Sequence, residues 1–299
     1  MLQQFDPRNT DIQVYVNGSL HHRDAGVISV FDSVVQGGDA VWEGLRLYSE
    51  GIICLSHHLQ RLQESAHTLA FNDVPTLHEI RQALKQTLEA NKMHDGVHIR
   101  LTLTRGVKIT SGMDPRLNQS GCTLIIVPEY KAPVYDNDTG IKIMSSSQRR
   151  NNPQFLDSKI HHNNLLNNIL AKIQSNMAGM DAALMLDEHG FASELNGTNI
   201  FTIKNGMVMT PHAHNCLPGI TRKFIIQLCE ENDVNLIEKN ISLSELYNAD
   251  EVFCSGTMGE LTPIVEIDGR KIINTTKNSI FAEINRLFRA SIPRYCEKL

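Results

Sequence analysis

Lys159 stands in the stretch Leu156-Asp157-Ser158-Lys159-Ile160-His161-His162-Asn163-Asn164, just ahead of Leu165, Leu166, Ile169, Leu170 and Ile173. The spacing of those apolar residues predicts a helix over 163–178 with one buried face. Partial desolvation at such a helix start favours the free base of an amine, which can attack a carbonyl; the alternative is an ordinary solvated charge. A second stretch, Cys216-Leu217-Pro218-Gly219-Ile220-Thr221-Arg222, leads into a helix and leaves the Ile220 and Thr221 N–H groups at the positive end of its dipole, a place suited to phosphate. Without a ligand it reads as a Pro-Gly turn capped by Thr221. A third, Cys254-Ser255-Gly256-Thr257-Met258-Gly259-Glu260-Leu261-Thr262-Pro263, follows a short strand with small hydroxyl and glycine residues that let a ligand approach closely, or else forms a polar loop. Glu194, in Ser193-Glu194-Leu195-Asn196-Gly197-Thr198-Asn199, ends a strand, where a carboxylate can hydrogen-bond a protonated ring nitrogen or simply be solvated.

Other chemistries fit less well. His161 and His162 are adjacent and their side chains diverge, while His212 and His214 lack an obvious third ligand, so no metal is expected. No G-x-S-x-G elbow is present, and Asp39 with Glu43 is not evidently a paired-carboxylate site.

The elements that must position these groups are α+β in character. In the first half, Asn17-Gly18 predicts a hairpin, 41–48 and 52–55 a second strand pair, Leu59, Leu62, Ala66 and Leu69 a helix carrying Arg61, and Thr76 with Glu79 a capping box; strands over 97–104 and 122–127 follow. The polar, turn-rich stretch 129–140 reads as a linker between a small N-terminal domain, 1–128, and a larger domain of mostly antiparallel strands, 141–299. The second half holds turns at 187–190, 205–206 and 268–269 and helices near 221–231, 242–248 and 279–288. At 299 residues and formal net charge -5, without a basic run, the chain is long enough for two cores and is not expected to bind nucleic acid. Met1-Leu2-Gln3-Gln4-Phe5-Asp6 lacks the pattern of a secretory signal, no apolar run reaches membrane-spanning length, and six scattered cysteines point to reduced thiols; the expectation is a cytoplasmic protein.

A lysine, a ring-nitrogen glutamate, a phosphate-binding helix start and a hydroxyl-rich loop are what holding pyridoxal 5'-phosphate requires. The chain also resembles the class IV (fold type IV) aminotransferases of branched-chain type, through Val41-Trp42-Glu43-Gly44-Leu45-Arg46, His58-Leu59-Gln60-Arg61-Leu62, Lys159 with Asn163, Ser193-Glu194 to Asn199-Ile200-Phe201, Leu217 to Arg222, and Ser255 to Pro263. The resemblance spans nearly the whole chain in order. It implies that Lys159 forms the internal aldimine and moves the proton, that Glu194 keeps the pyridine nitrogen protonated, and that Arg61, the Ile220 and Thr221 N–H groups and Thr257 hold the phosphate. It also implies a substrate pocket that includes Trp42, His98, Arg100, Thr257 and Met258, with Arg100 on the substrate carboxylate, and a homodimer.

Where branched-chain enzymes usually carry tyrosine, this chain has His98 two residues before Arg100 and Asn164 after the lysine; Gly37 and Trp42 also depart from the expected aromatic pattern. The expected activity is transamination of an aliphatic amino acid with 2-oxoglutarate. D-amino acid or (R)-amine transamination and aminodeoxychorismate cleavage stay open as alternatives. From other classes come a non-catalytic phosphate-ligand binding protein and, more remotely, a metal-dependent hydrolase.

Overall fold

A computed structural model describes residues 3–272 and 279–299; Met1 and Leu2, read above for a leader, lie outside the described residues. Two compact units emerge. The first takes residues 3–132, 160–164 and 293–299, and the second takes 133–159 and 165–292. Two short pieces of the C-terminal half, one directly after Lys159 and one at the chain end, therefore pack with the N-terminal unit.

In the first unit, Asn17 and Gly18 take positive φ, 45° and 98°, and turn β1 (Gln13–Val16) back as β2 (Ser19–His22). After the short helix α1 (Ser33–Gly37) come β3 (Ala40–Tyr48), β4 (Gly51–Ile53), α2 (Leu55–Thr68), α3 (Leu77–Ala90), β5 (Val97–Thr104) and β6 (Thr123–Tyr130). α3 starts on the expected Thr76–Glu79 capping box. Side chains alternate across the sheet, so Leu45, Leu47, Ile99 and Leu101 join Leu59, Leu62, Ile80 and Leu84 in one core. By the same alternation Trp42, Arg46, His98, Arg100 and Thr102 belong to the opposite face.

The second unit holds β7 (Ile141–Arg149), α4 (Leu166–Met177), β8 (Ala182–Leu186), β9 (Ala192–Leu195), β10 (Asn199–Lys204), β11 (Met207–Thr210), α5 (Ile220–Glu231), β12 (Leu236–Glu238), α6 (Leu243–Tyr247), β13 (Glu251–Gly256), β14 (Glu260–Ile267), β15 (Arg270–Lys271) and α7 (Ile280–Tyr295) up to residue 292. The strands run in the order β12-β11-β10-β13-β14-β7-β8-β9, with β15 beside β14. Pairing is parallel at β11–β12, β14–β7 and β7–β8, and antiparallel in the other described ladders. Ile143, Leu184, Leu195, Ile200, Val252 and Ile264 fill its core.

β16 (Cys296–Glu297) completes the first sheet beside β4, giving β16-β4-β3-β5-β6-β1-β2. The Glu297 carboxylate fixes it there, accepting the Ser56 N–H (2.7 Å) and hydroxyl (2.6 Å) in the first turn of α2 and pairing with Arg81 (2.7 Å).

α4 corrects one expectation. It starts at Leu166 rather than at 163, and its apolar stripe is not buried: Leu166 is 67% exposed, Ile169 50% and Ile173 46%. The helix docks through Ala171 and Ser175 instead, with Ala171 against Ala183 and Met185, because small residues let its backbone come close to β8. Among the described residues no helix is long and apolar enough to cross a membrane.

Candidate active site

In the second unit the site begins with Glu194, buried on β9 opposite Met185 of β8. A carboxylate there is costly unless compensated. Arg150 compensates it, its Nε donating to Oε1 at 2.5 Å, and the Leu217 N–H adds a bond to the same oxygen at 3.3 Å. Asn199 Nδ2 donates to Oε2 at 3.2 Å. The result is a carboxylate held in one orientation by a guanidinium, an amide and a peptide N–H.

Further along the chain, α5 begins at Ile220 with Gly219 as its N-cap and no side chain capping the first turn. The Ile220 and Thr221 N–H groups have no intrahelical carbonyl to bond, as at the start of any α-helix. The Thr221 hydroxyl oxygen lies 3.3 Å from that of Thr257, in the turn after β13, where the Gly259 N–H bonds the Gly256 carbonyl at 3.1 Å. Two hydroxyls and a bare helix start on twelve residues of helix make an anion-accepting corner. The Pro-Gly stretch and the hydroxyl-rich loop are thus two walls of one place.

Lys159 closes the segment 133–159 and is exposed, not partly desolvated as the helical spacing implied. Its backbone N–H bonds Asp157 Oδ1 at 2.9 Å, and buried Ser158 beside it donates to the Asn151 carbonyl at 2.5 Å, so the backbone is fixed while the side chain is accessible. The next residues do not enter a helix. Ile160–Asn164 runs along β3: the Trp42 N–H donates to the His161 carbonyl at 2.9 Å and the Asn163 N–H to the Ala40 carbonyl at 2.8 Å.

That pairing belongs to the first unit, which carries Arg61, Trp42, His98 and Arg100. Glu43, fully buried, receives Arg61 on both oxygens, Nε at 2.8 Å and Nη2 at 2.7 Å, with His58 Nδ1 at 2.6 Å and His161 Nδ1 at 3.1 Å. Burial pushes the Glu43 carboxyl up, but Arg61 and His161 outweigh it and hold it well below the usual carboxylate range. His161 is pushed down to about 4, chiefly by burial. Its ring packs on Trp42 at 4.2 Å, and the Arg100 guanidinium lies over the Trp42 ring at 3.4 Å. Arg100 Nη2 donates to Asn163 Oδ1 at 2.6 Å, and burial lowers its pKa to about 10. Among the described residues Arg100 has no ion pair with a carboxylate, leaving an aromatic-backed cation suited to an anionic ligand. His98 is buried on the same strand, across from Arg46.

Residues 40–267 match the sequence profile described as amino-transferase class IV. The chain belongs to the class IV aminotransferases. A "branched-chain-amino-acid aminotransferase-like protein 2" of Arabidopsis thaliana is 57% identical over 89% of this chain; the chain spans about half of that relative, 48% of its length. The "putative branched-chain-amino-acid aminotransferase" of Methanocaldococcus jannaschii is 37% identical, with 93% of this chain and 96% of that one covered. Among solved structures, the branched-chain aminotransferase of the thermophilic archaeon Thermoproteus uzoniensis with norvaline superposes with a TM-score of 0.87 at 28% identity, covering 96% of this chain and 96% of that one.

Within this class IV fold, sequence reasoning left out three groups. Arg150 is 44 positions from Glu194, and no local pattern marks it. Asn199 entered only as part of a motif, because nothing local shows that its amide reaches the acid five residues earlier. Glu43 was set aside for want of a paired carboxylate, whereas its partners are cations; Asp39 likewise pairs with Arg105, at 2.6 Å. No group of three or more His, Cys, Asp and Glu able to hold a metal occurs among the described residues.

Proposed function

We propose that the chain is a pyridoxal 5'-phosphate-dependent aminotransferase acting on an aliphatic, branched-chain-like amino acid, with 2-oxoglutarate as acceptor. The observation that carries this reading is the pairing, in one unit, of a buried Glu194–Arg150 carboxylate with an uncapped helix start whose Thr221 hydroxyl meets Thr257. The residues fit the group: the acid suits a ring nitrogen and the corner suits a phosphate, and simple phosphate binding would need no buried glutamate. When bound, the cofactor supplies an aldehyde and a cationic ring that withdraws electrons from an amino acid Cα.

The chain's own residues do the rest. Glu194 holds the proton on the ring nitrogen. The Ile220 and Thr221 N–H groups and the Thr221 and Thr257 hydroxyls grip the phosphate, and we assign Arg61, its guanidinium plane fixed by Glu43, to the same charge. Lys159, accessible on a fixed backbone, takes the Cα proton and returns it. We assign Arg100, backed by Trp42, to a substrate carboxylate, and the Thr257 and Met258 N–H groups and buried His98 to substrate contacts.

The test is a half-reaction screen on the reconstituted protein with L-leucine, D-alanine and (R)-phenylethylamine, reading the visible absorption. L-leucine is expected to bleach it and the other two to leave it. Conversion by D-alanine alone would reassign the substrate, and no conversion by any amino acid would return the chain to phosphate-ligand binding. Arg100→Leu is expected to raise the KM for 2-oxoglutarate by about 10- to 100-fold, the worth of a charge-assisted hydrogen bond.

We also propose a homodimer. Leu166, Ile169, Leu170 and Ile173 with Met177 form an exposed stripe of large apolar side chains on α4 that a second copy would cover. Sedimentation is expected to give a dimer for the native chain and a monomer for a Leu166→Glu/Ile173→Glu variant; a native monomer at micromolar concentration rejects it.

A further inference from the structure

Asn199 touches both halves of the proposed cofactor site. Its amide nitrogen donates to Glu194 Oε2 at 3.2 Å and to the Leu217 carbonyl at 2.9 Å. Leu217 is itself tied to the acid, its N–H donating to Glu194 Oε1 at 3.3 Å. The peptide that leads into Pro218-Gly219 is therefore clamped at its N–H by Glu194 and at its carbonyl by Asn199.

Gly219 supplies an independent sign of the same coupling. Its φ of -60° and ψ of 137° suit any residue, so conformation does not require glycine. Space does: a Cβ there would lie 2.0 Å from Asn199 Oδ1 and 3.2 Å from its Cγ. The amide cannot swing aside without breaking its bonds to Glu194 and Leu217, and it is buried at the start of β10 with Ser255 of β13 as its cross-strand neighbour. The α5 start thus seats directly on the side chain that orients the ring-nitrogen acid.

We propose that Asn199 is a positioning residue that locks Glu194 and the Leu217–Gly219 turn into one rigid piece, so that the ring-nitrogen contact and the phosphate grip keep a fixed spacing. This rests on the cofactor reading above. Asn199 itself touches neither end of the ligand; it sets the distance between the groups that do.

The test is calorimetric titration of the cofactor-free full chain with inorganic phosphate, alongside the pH profile of visible absorption after reconstitution. Asn199→Ala and Gly219→Ala are each expected to weaken phosphate binding by about tenfold, and Asn199→Ala also to shift the pH profile, since it loosens Glu194 as well. The double variant is expected to bind no worse than Asn199→Ala, because removing the amide makes room for the Cβ. Asn199→Leu, similar in size but without the donor or a new charge, is expected to behave like Asn199→Ala and serves if the latter does not fold. Native-like phosphate affinity in both Asn199 variants, or additive losses in the double variant, overturns the proposal. If the native chain takes up neither phosphate nor pyridoxal 5'-phosphate, it is the cofactor reading that falls, and the proposal with it.

Discussion

Replacing Lys159 by alanine is expected to reduce turnover on the order of 10⁴-fold while leaving the melting temperature within a few degrees of the native chain, because the acid-base group is lost but nothing is unpacked. The side chain is exposed, and the backbone at this point is fixed by its neighbours: the Lys159 N–H bonds Asp157, and the buried Ser158 hydroxyl bonds the Asn151 carbonyl. Truncation at an exposed position changes stability by about half a kcal/mol or less. A substitute amine is not at hand in the neighbouring helix, since Lys172 Nζ is engaged by the Asp181 carbonyl at 2.5 Å. Lys159→Arg keeps charge and length but offers no free base at neutral pH, so it is expected to be as inactive as alanine. Phosphate titration of the cofactor-free variant separates the outcomes: unchanged phosphate affinity with lost turnover assigns Lys159 to the chemical step. Retained turnover in either variant would remove the lysine from the mechanism, whatever the family.

The strands and turns were legible because their signals are local. Asn17-Gly18, Asn205-Gly206 and Asp268-Gly269 each adopt the positive-φ pair that such turns need, and Thr76–Glu79 caps α3 reciprocally as its spacing implies. The α5 start was legible for the same reason. What was not legible depends on residues far apart in sequence. Periodicity marked the apolar stripe of α4 but carries no information about what covers it, and Ala171 and Ser175, the residues that dock the helix, are inconspicuous by type. The residues after Lys159 follow helical spacing, yet backbone bonds to Ala40 and Trp42, about 120 positions earlier in the chain, draw them onto β3. Glu194 could be named from its residue type and strand position; Arg150 and Asn199, which decide its orientation, required the sheet. The reach of Glu297 back to Ser56, across 241 positions, had no sequence sign at all.

Glu43→Gln is expected to destabilise the chain by about 3–5 kcal/mol, the usual consequence of removing one partner from a buried ion pair, and to lower the melting temperature by roughly 5–15 °C. The substitution keeps shape and removes charge. Arg61 then keeps one acceptor and loses the other, and the new amide NH₂ faces donors from Arg61 and from His58 or His161 whichever way it is turned. A surface pair would cost far less, so a loss under about 1 kcal/mol would mean that water reaches the cluster. Acid should act on the same cluster, and its direction follows from the shifts. His161 is held down to about 4 against an ordinary 6.5, mainly by burial, so the unfolded chain takes up a proton that the folded chain refuses. Its contribution is complete above pH 6.5 and is lost as pH falls toward 4, amounting to about 3 kcal/mol at most. The depressed Glu43 carboxyl adds a further loss below that range, in the same direction. Denaturant midpoints of the native chain should therefore fall steadily from pH 6.5 to pH 4, and those of a His161→Asn variant should fall less. Equal slopes in the two proteins would show that His161 protonates freely in the folded state, and the Trp42–Arg100 stack it supports would then have to be held by Asn163 and the β3 backbone alone.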